Sequence, residues 1–249
     1  MATSDSTQSR LTKNIVRARV TIRGTRPLVQ HEFGPDAIPL EKGEKTGVAG
    51  NDPLEWKRSC MVTENRQLFL KPTNIFGCIR DAAKHTKKGK GSIQPLVAAT
   101  LQIEDSIVCL DRSLPEGEPP LKRVHDDKVP VYVYVCGVRN PSTKARNVRY
   151  RLAAAPGWQC TFTIRFDKTV VPRELMRAVL NDAGVLVGIA DGRSVGEGRF
   201  EVLAYEELTD AEEAPADGSV ETPAADRLEK RRKKVQPVQD AAGANGSAR

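Results

Sequence analysis

Aromatic residues make up only 5% of this chain, and it holds three histidines and two tryptophans. His31, His85 and His125 are too scattered to form a metal site readable from spacing. Neither H-E-x-x-H nor G-x-S-x-G occurs, so the zinc-protease and serine-hydrolase motifs are absent. The five cysteines are odd in number and never closer than eighteen residues, which excludes a disulfide framework and C-x-x-C metal spacing. They fit a reducing cytoplasm, and Cys136 and Cys160 lie in strand-like runs as small core residues. No stretch approaches the roughly 18 apolar residues of a membrane span, and no apolar run marks a signal peptide. The expectation is a soluble, cytoplasmic protein with no membrane partner. Phosphate-loop chemistry is also missing: Lys87-Lys88-Gly89-Lys90-Gly91-Ser92 lacks the upstream glycine. A dinucleotide fingerprint fails because the glycines near residue 190 precede a strand, where that motif precedes a helix. No cofactor and no metal are expected.

What is present is charge and a core. The 249 residues are 39% hydrophobic and carry a net charge of +7. Residues 206–249 hold ten acidic and seven basic side chains, which leaves +10 on residues 1–205. An excess of that size suits a polyanionic partner, above all nucleic acid, although an ordinary basic protein has it too.

Residues 1–12 read as a Ser/Thr-rich disordered tail. Ile15–Gly24 alternates as a strand, with Val16, Ala18, Val20 and Ile22 on one face and Arg17, Arg19, Thr21 and Arg23 on the other. Same-face arginines lie about 7 Å apart, a spacing comparable with successive phosphates; an ordinary solvated sheet face looks the same. A long loop carrying Asp36, Asp52 and Trp56 follows, within an insertion near 34–65. Leu68–Leu70 then feeds a helix from Pro72, with Ile75, Phe76, Ile79 and Ala83 as its apolar stripe. Beyond it Lys84, Lys87, Lys88 and Lys90 place four lysines in seven residues. They can complement the helix dipole or contact phosphates.

Val97–Ile103 and Ile107–Leu110 read as a strand pair, and 111–129 as an excursion. Val129, Val131, Val133 and Val135 alternate with Tyr132 and Tyr134. Those tyrosines either stack bases or lie under a second layer of the domain. A turn bearing Lys144 and Arg146 follows. Val148–Ala154 and Trp158–Phe166 read as a hairpin, with Trp158, Cys160, Phe162, Ile164 and Phe166 inward and Arg149 and Arg151 sharing a face.

The remaining stretch, Val171–Tyr205, organises the rest. Leu175, Met176, Val179 and Leu180 give a helix that Gly184 stops, and Val185–Val187 a short strand. A loop punctuated by Gly188, Gly192, Gly196 and Gly198 holds Arg193 and Arg199, before Phe200, Val202 and Ala204 alternate as a last strand. Four glycines in eleven residues permit positive φ and close backbone approach. The alternative is a flexible hairpin with two solvated arginines. The core is expected over 13–205, with 206–249 a disordered tail, acidic and then basic at Arg227–Lys234. Two helices on one face of a mostly antiparallel sheet make an α+β, ferredoxin-like or RRM-like domain.

Helix, strand and a glycine loop ending G-x-G-R-F resemble the C-terminal half of the RAMP superfamily, the RNA-binding backbone subunits and processing ribonucleases of CRISPR systems. The matching residues are Gly188, Gly192, Arg193, Gly196, Gly198, Arg199 and Phe200. Family members often carry a second glycine where this chain has Ala190. Arg26-Pro27-Leu28 after the first strand resembles the family's opening. Pro72 to Arg80 resembles its first helix, with Phe76 replacing a frequent lysine.

The resemblance implies single-stranded guide RNA as partner, a homo-oligomer or CRISPR-like effector subunits around it, and a role in antiviral defence. A phage or mobile-element origin fits equally. The implied RNA contacts are Arg17, Arg19, Arg23, Lys84, Lys87, Lys88, Lys90, Lys144, Arg146, Arg193 and Arg199, with Gly188, Gly192, Gly196 and Gly198 letting backbone N–H groups meet phosphates. A non-catalytic role is expected. A metal-independent endoribonuclease stays open, with His31, Asp36 or Asp52 as candidates beside His85. So does a phage single-stranded DNA-binding or recombination protein, because charge and stacking serve DNA as well.

Overall fold

Four valine, alanine and isoleucine side chains on alternate positions of one strand set the architecture. In the computed structural model, which describes residues 14–32, 52–124, 128–139 and 146–209, the first strand β1 (Ile15–Gly24) buries Val16, Ala18, Val20 and Ile22. Its other face keeps Arg17, Arg19, Thr21 and Arg23 half-buried or exposed. The chain continues through β2 (Leu28–Val29), α1 (Glu55–Ser59), β3 (Gln67–Leu70), α2 (Pro72–Ala82), the small strands β4 (Lys87–Lys88) and β5 (Gly91–Ser92), and α3 (Gln94–Thr100). Then come β6 (Gln102–Ile103), β7 (Val108–Ser113), β8 (Leu121–Lys122), β9 (Val131–Arg139), β10 (Arg146–Ala154), β11 (Gln159–Asp167), α4 (Arg173–Asp182) and β12 (Phe200–Glu207).

The main sheet runs β12-β1-β11-β7-β3, with β6 on β11, and its described pairings are antiparallel. Without the insertions, β1, α2, β7, β11, α4 and β12 follow the β-α-β-β-α-β order of a ferredoxin-like domain. One core joins Ile75, Cys78 and Ile79 of α2 and Met176, Val179 and Leu180 of α4 to Phe162, Ile164 and Phe166 of β11. Deleting a ring such as that of Phe162 from this packing would cost about 3–5 kcal/mol. The fold is therefore α+β, as the sequence pattern requires.

A second sheet, β2-β10-β9-β8, adds Val131, Val133, Leu152 and Ala154 to the same core. Tyr132 faces the other way, fully buried beside Val29 and Ala153. Tyr132 therefore belongs to a second layer, while Tyr134 is only half-buried and lines a cleft. Val148–Ala154 pairs with β9 and not with β11, so the hairpin is β9–β10. The chain changes sheets at Ala155–Gly157, where the Gly157 N–H reaches Gly24 O at 2.7 Å.

Other expectations change as well. Gln94–Thr100 is helical because Pro95 suits a first helical turn, and short apolar runs do not distinguish helix from strand. The excursion at 111–129 begins inside β7 and includes β8, paired parallel to β9. Trp56 is buried in α1, while Asp36 lies outside the described residues. Phe76 is only half-buried, and Cys78 and Ala82 complete the α2 stripe. A register shift at Thr21/Ile22 puts Ala204 opposite Thr21 and Tyr205 opposite Val20. The last strand runs through Glu207, two residues beyond the expected end.

After α4 the expected strand is a π turn, Ala183–Val187, with Val185 69% exposed. Gly184 does not stop the helix. It admits the neighbouring strand, since a Cβ there would lie 2.1 Å from Phe200 O. Reversal comes at Gly188, with φ +85°. Gly192, Gly196 and Gly198 also have positive φ, and so does Ala190 at +65°. A Cβ on Gly198 would meet Ile189 O at 2.0 Å.

Two changes test this backbone account. Ala190→Gly relieves a left-handed residue and should stabilise by about 0.5–1 kcal/mol, raising Tm by about 1–4 °C. Gly198→Ala meets both a clash and an unfavourable φ, and should cost about 2–4 kcal/mol in chemical denaturation.

Candidate nucleic-acid interface

The glycine loop is seated by its own backbone. Gly198 N–H donates to Pro27 O at 2.7 Å, Ile189 N–H to Gly198 O at 2.9 Å, Asp191 N–H to Val29 O at 2.9 Å and Glu197 N–H to Gly192 O at 3.1 Å. Gly188 N–H bonds Ala183 O at 2.8 Å, and Arg199 O accepts from Thr25 N–H at 2.8 Å. These N–H groups are thus committed within the chain, and the glycines act by letting the loop fold tightly against Thr25–Val29. Trp158 holds the other side of that segment, its Nε1–H donating to Arg26 O at 2.9 Å.

What the loop presents outward is Arg193, exposed on a short 3-10 turn, Arg193–Val195. Its guanidinium donates to Asp81 Oδ2 at 3.3 Å, at the C-terminal end of α2. Asp81 also pairs with Arg80 at 2.9 Å and Lys84 at 3.6 Å. Burial works to raise the Asp81 carboxyl, but the Arg80 hydrogen bond and the charges of Arg80, Lys84 and Arg193 outweigh it and hold it below the usual carboxylate range. One anion thereby gathers three cations. Between α2 and the loop lies a cleft of about 490 Å³, lined by Lys84, His85, Leu186, Ala190, Arg193 and Ser194, among others.

The four-lysine stretch continues from that cleft as a hairpin. Lys87 stands opposite Ser92 and Lys88 opposite Gly91, and Gly89 turns the chain with φ +66°. Lys87, Lys88 and Lys90 are exposed, and none forms an ion pair among the described residues. The hairpin's base is fixed by Thr86 Oγ1 donating to Asp182 Oδ2 at 3.3 Å and by buried Ile93. Lys84, Gly192 and Arg193 therefore line one cleft, and Lys87, Lys88 and Lys90 follow it in the chain on the hairpin after His85. Arg199 lies beside them but donates to Val185 O at 3.0 Å, closing the π turn.

The arginines of β1 lie elsewhere, on the open face of the main sheet. Arg17 donates to both Glu104 oxygens, at 2.7–3.0 Å, and Arg23 to Glu201 at 2.7 Å. Arg19 stands opposite Glu206 in the ladder. A phosphate reaching Arg17 or Arg23 would have to displace a carboxylate. Arg146 opens β10, and Lys144 lies outside the described residues.

Two of the candidate catalytic groups, His31 and Asp52, are engaged in structure. His31 Nε2 lies 3.5 Å from Glu55 Oε1, and Glu55 also accepts from Arg149 at 2.8 Å and from Tyr150 N–H at 3.1 Å. Burial alone would raise the Glu55 carboxyl, but His31, Tyr150 and Arg149 lower it overall. This carboxylate ties α1 to β10. Asp52 accepts from Leu54 N–H at 2.9 Å and pairs with Arg58, so it starts α1. Burial pushes the Cys78 thiol up to about 12, away from thiolate chemistry. Among the described residues no group of three or more His, Cys, Asp or Glu is placed to hold a metal ion, and no helix is long and apolar enough to cross a membrane.

On its other side the loop borders a second cleft of about 480 Å³, against β9. Tyr134, Arg151, Asp191 and Glu197 line it, and Arg151 pairs with Asp191. Sequence reasoning missed Asp81, Asp191 and Glu197. Their only linear trace is the closeness of Asp81 to Arg80 and Lys84; Arg193 lies 112 residues from Asp81, and the partners of Asp191 and Glu197 come from other elements of the chain.

No protein-family model matches the sequence, and no curated protein does. Among solved structures, the chain is similar to one in the type III-B Cmr-beta bound to cognate target RNA, at 13% identity and a TM-score of 0.44, over 82% of this chain and 65% of that one. It thus spans less than two thirds of that relative's length. It is also similar to a chain of a type IV-B CRISPR complex, at 13% identity and a TM-score of 0.39, over 86% of this chain and 98% of that one.

Proposed function

We propose that this chain is a non-catalytic, RAMP-type nucleic-acid-binding protein that holds single-stranded RNA in a CRISPR-like effector complex. The observation that carries this reading is the cationic cleft where the end of α2 meets Arg193, with the exposed lysine hairpin following it in the chain. Lys87, Lys88 and Lys90 lack carboxylate partners among the described residues, so a phosphate need not displace an internal ion pair to reach them. Affinity then comes from phosphate neutralisation and counterion release, with side chains rather than loop amides making the contacts. The open sheet face, with Arg17 and Arg23 already paired, is secondary.

One observation favours a second reading. His85 lines the same cationic cleft, where a general base acting on RNA would sit. A metal-independent ribonuclease would cut labelled RNA in the presence of EDTA and lose that activity in His85→Ala. The favoured reading expects the RNA to remain intact.

The binding test uses the full chain with a labelled 30-mer RNA, its DNA counterpart and duplex DNA across a salt series. RNA should bind most tightly. Replacing Lys87, Lys88 and Lys90 together by alanine should flatten the log–log salt slope by about two, at about 0.7 per phosphate contact. Arg193→Ala should weaken binding severalfold, while Arg17→Ala with Arg23→Ala should change it by less than about twofold. Equal affinity for single-stranded DNA would favour a recombination role. A larger loss from the β1 pair than from the lysines would move the interface to the open sheet face.

A further inference from the structure

The two clefts flanking the glycine loop share a ridge formed by Asp191, Gly192 and Ser194, but their chemistry differs. The side toward α2 is cationic. The side toward β9 is walled by Tyr134, Cys136 and Val138, which alternate along the strand and so lie on one of its faces. Opposite them stand Asp191 and Glu197. Glu197 is 7% exposed, with Oε1 3.6 Å from Arg26. Tyr134 meets fully buried Tyr132 edge to face, with centroids 6.4 Å apart and planes at 90°, which fixes its ring.

This second cleft is of mixed charge: Arg139 and Arg151 line it beside Asp191 and Glu197, so its carboxylates offset its arginines where the first cleft is cationic. A planar group with N–H donors suits it. Each carboxylate oxygen has two lone pairs, so its pairing with an arginine leaves room for a further hydrogen bond. The volume of about 480 Å³ is that of a small-ligand site. A strand with phosphates held at Lys84 and Arg193 would place bases within reach across the ridge.

We propose that the cleft between β9 and the glycine loop is a nucleobase pocket for a base bearing an exocyclic amino group, packed against Tyr134 and donating to Glu197. The proposal rests on the RNA-binding reading and adds a base preference to it. Cytosine presents an N4 amino donor where uracil presents an O4 acceptor, and the two pyrimidines are otherwise nearly equal in size.

The test measures binding of labelled C12 and U12 RNA to the full chain at low salt. The wild type should prefer C12 by at least about fivefold, the lower end of what one such base contact supplies. An amide both accepts and donates, so Glu197→Gln should bring the ratio near one, and Tyr134→Ala should weaken C12 and U12 alike. Melting curves establish that each variant folds, and the wild-type ratio depends on no variant. Binding of both RNAs without preference, or a preference unchanged in Glu197→Gln, overturns the pocket and leaves RNA binding standing. Failure of both RNAs to bind overturns the RNA reading and the pocket with it. CMP supplied alone at millimolar concentration should not displace C12; Glu197-dependent CMP binding with equal C12 and U12 affinities would overturn a strand source in favour of a free nucleotide.

Discussion

The hydrogen bond from Gly198 N–H to Pro27 O, 2.7 Å long, is the constraint on which the candidate interface depends. It draws the loop against the segment after β1, while within the loop Ile189 packs so close that no Cβ fits at Gly198. From this seat Arg193 reaches Asp81, Asp191 reaches Arg151, and the loop stands as a ridge with a cleft on each side. A looser loop would present the same arginine without a defined position. Gly188, Gly196 and Gly198 thus shape the loop, with their N–H groups bonded within the chain.

Charge is divided unevenly over the surface. On the open face of the main sheet, Arg17 and Arg23 are matched by Glu104 and Glu201. At the end of α2, Asp81 answers Arg80, Lys84 and Arg193 together, and the lysine hairpin beyond it has no such answer among the described residues. Exposed ion pairs contribute little to stability, about 0–1 kcal/mol each, but they decide where a polyanion finds cations uncompensated. By that criterion the three lysines of the hairpin are uncompensated, while on the sheet face only Arg17 and Arg23 are matched.

Much of this was legible in the chain. The alternation in β1 and the α4 periodicity gave strand, helix and buried face correctly, because one-sided burial leaves a plain period. The glycine spacing marked the loop, and Ala190 occupies a left-handed position where glycine would be at ease. Partner choice across sheets was hidden: β10 continues from β9 and not into β11 because the Ala155–Gly157 crossing is set by tertiary contacts to Gly24 and Pro130. The π turn was hidden too, since Val185–Val187 looks like a buried strand although Val185 and Leu186 are exposed. The pairing of Arg17 with Glu104 spans 87 residues and leaves no local pattern.

The most direct measurement is photocrosslinking of 4-thiouridine-substituted RNA to the full chain, with the attachment sites mapped by mass spectrometry. The account predicts crosslinks concentrated in residues 84–93 and 186–199, and Tyr134 as the site on β9. Crosslinks confined to β1 and β11, on the face of Arg17, Arg23 and Arg165, would contradict it.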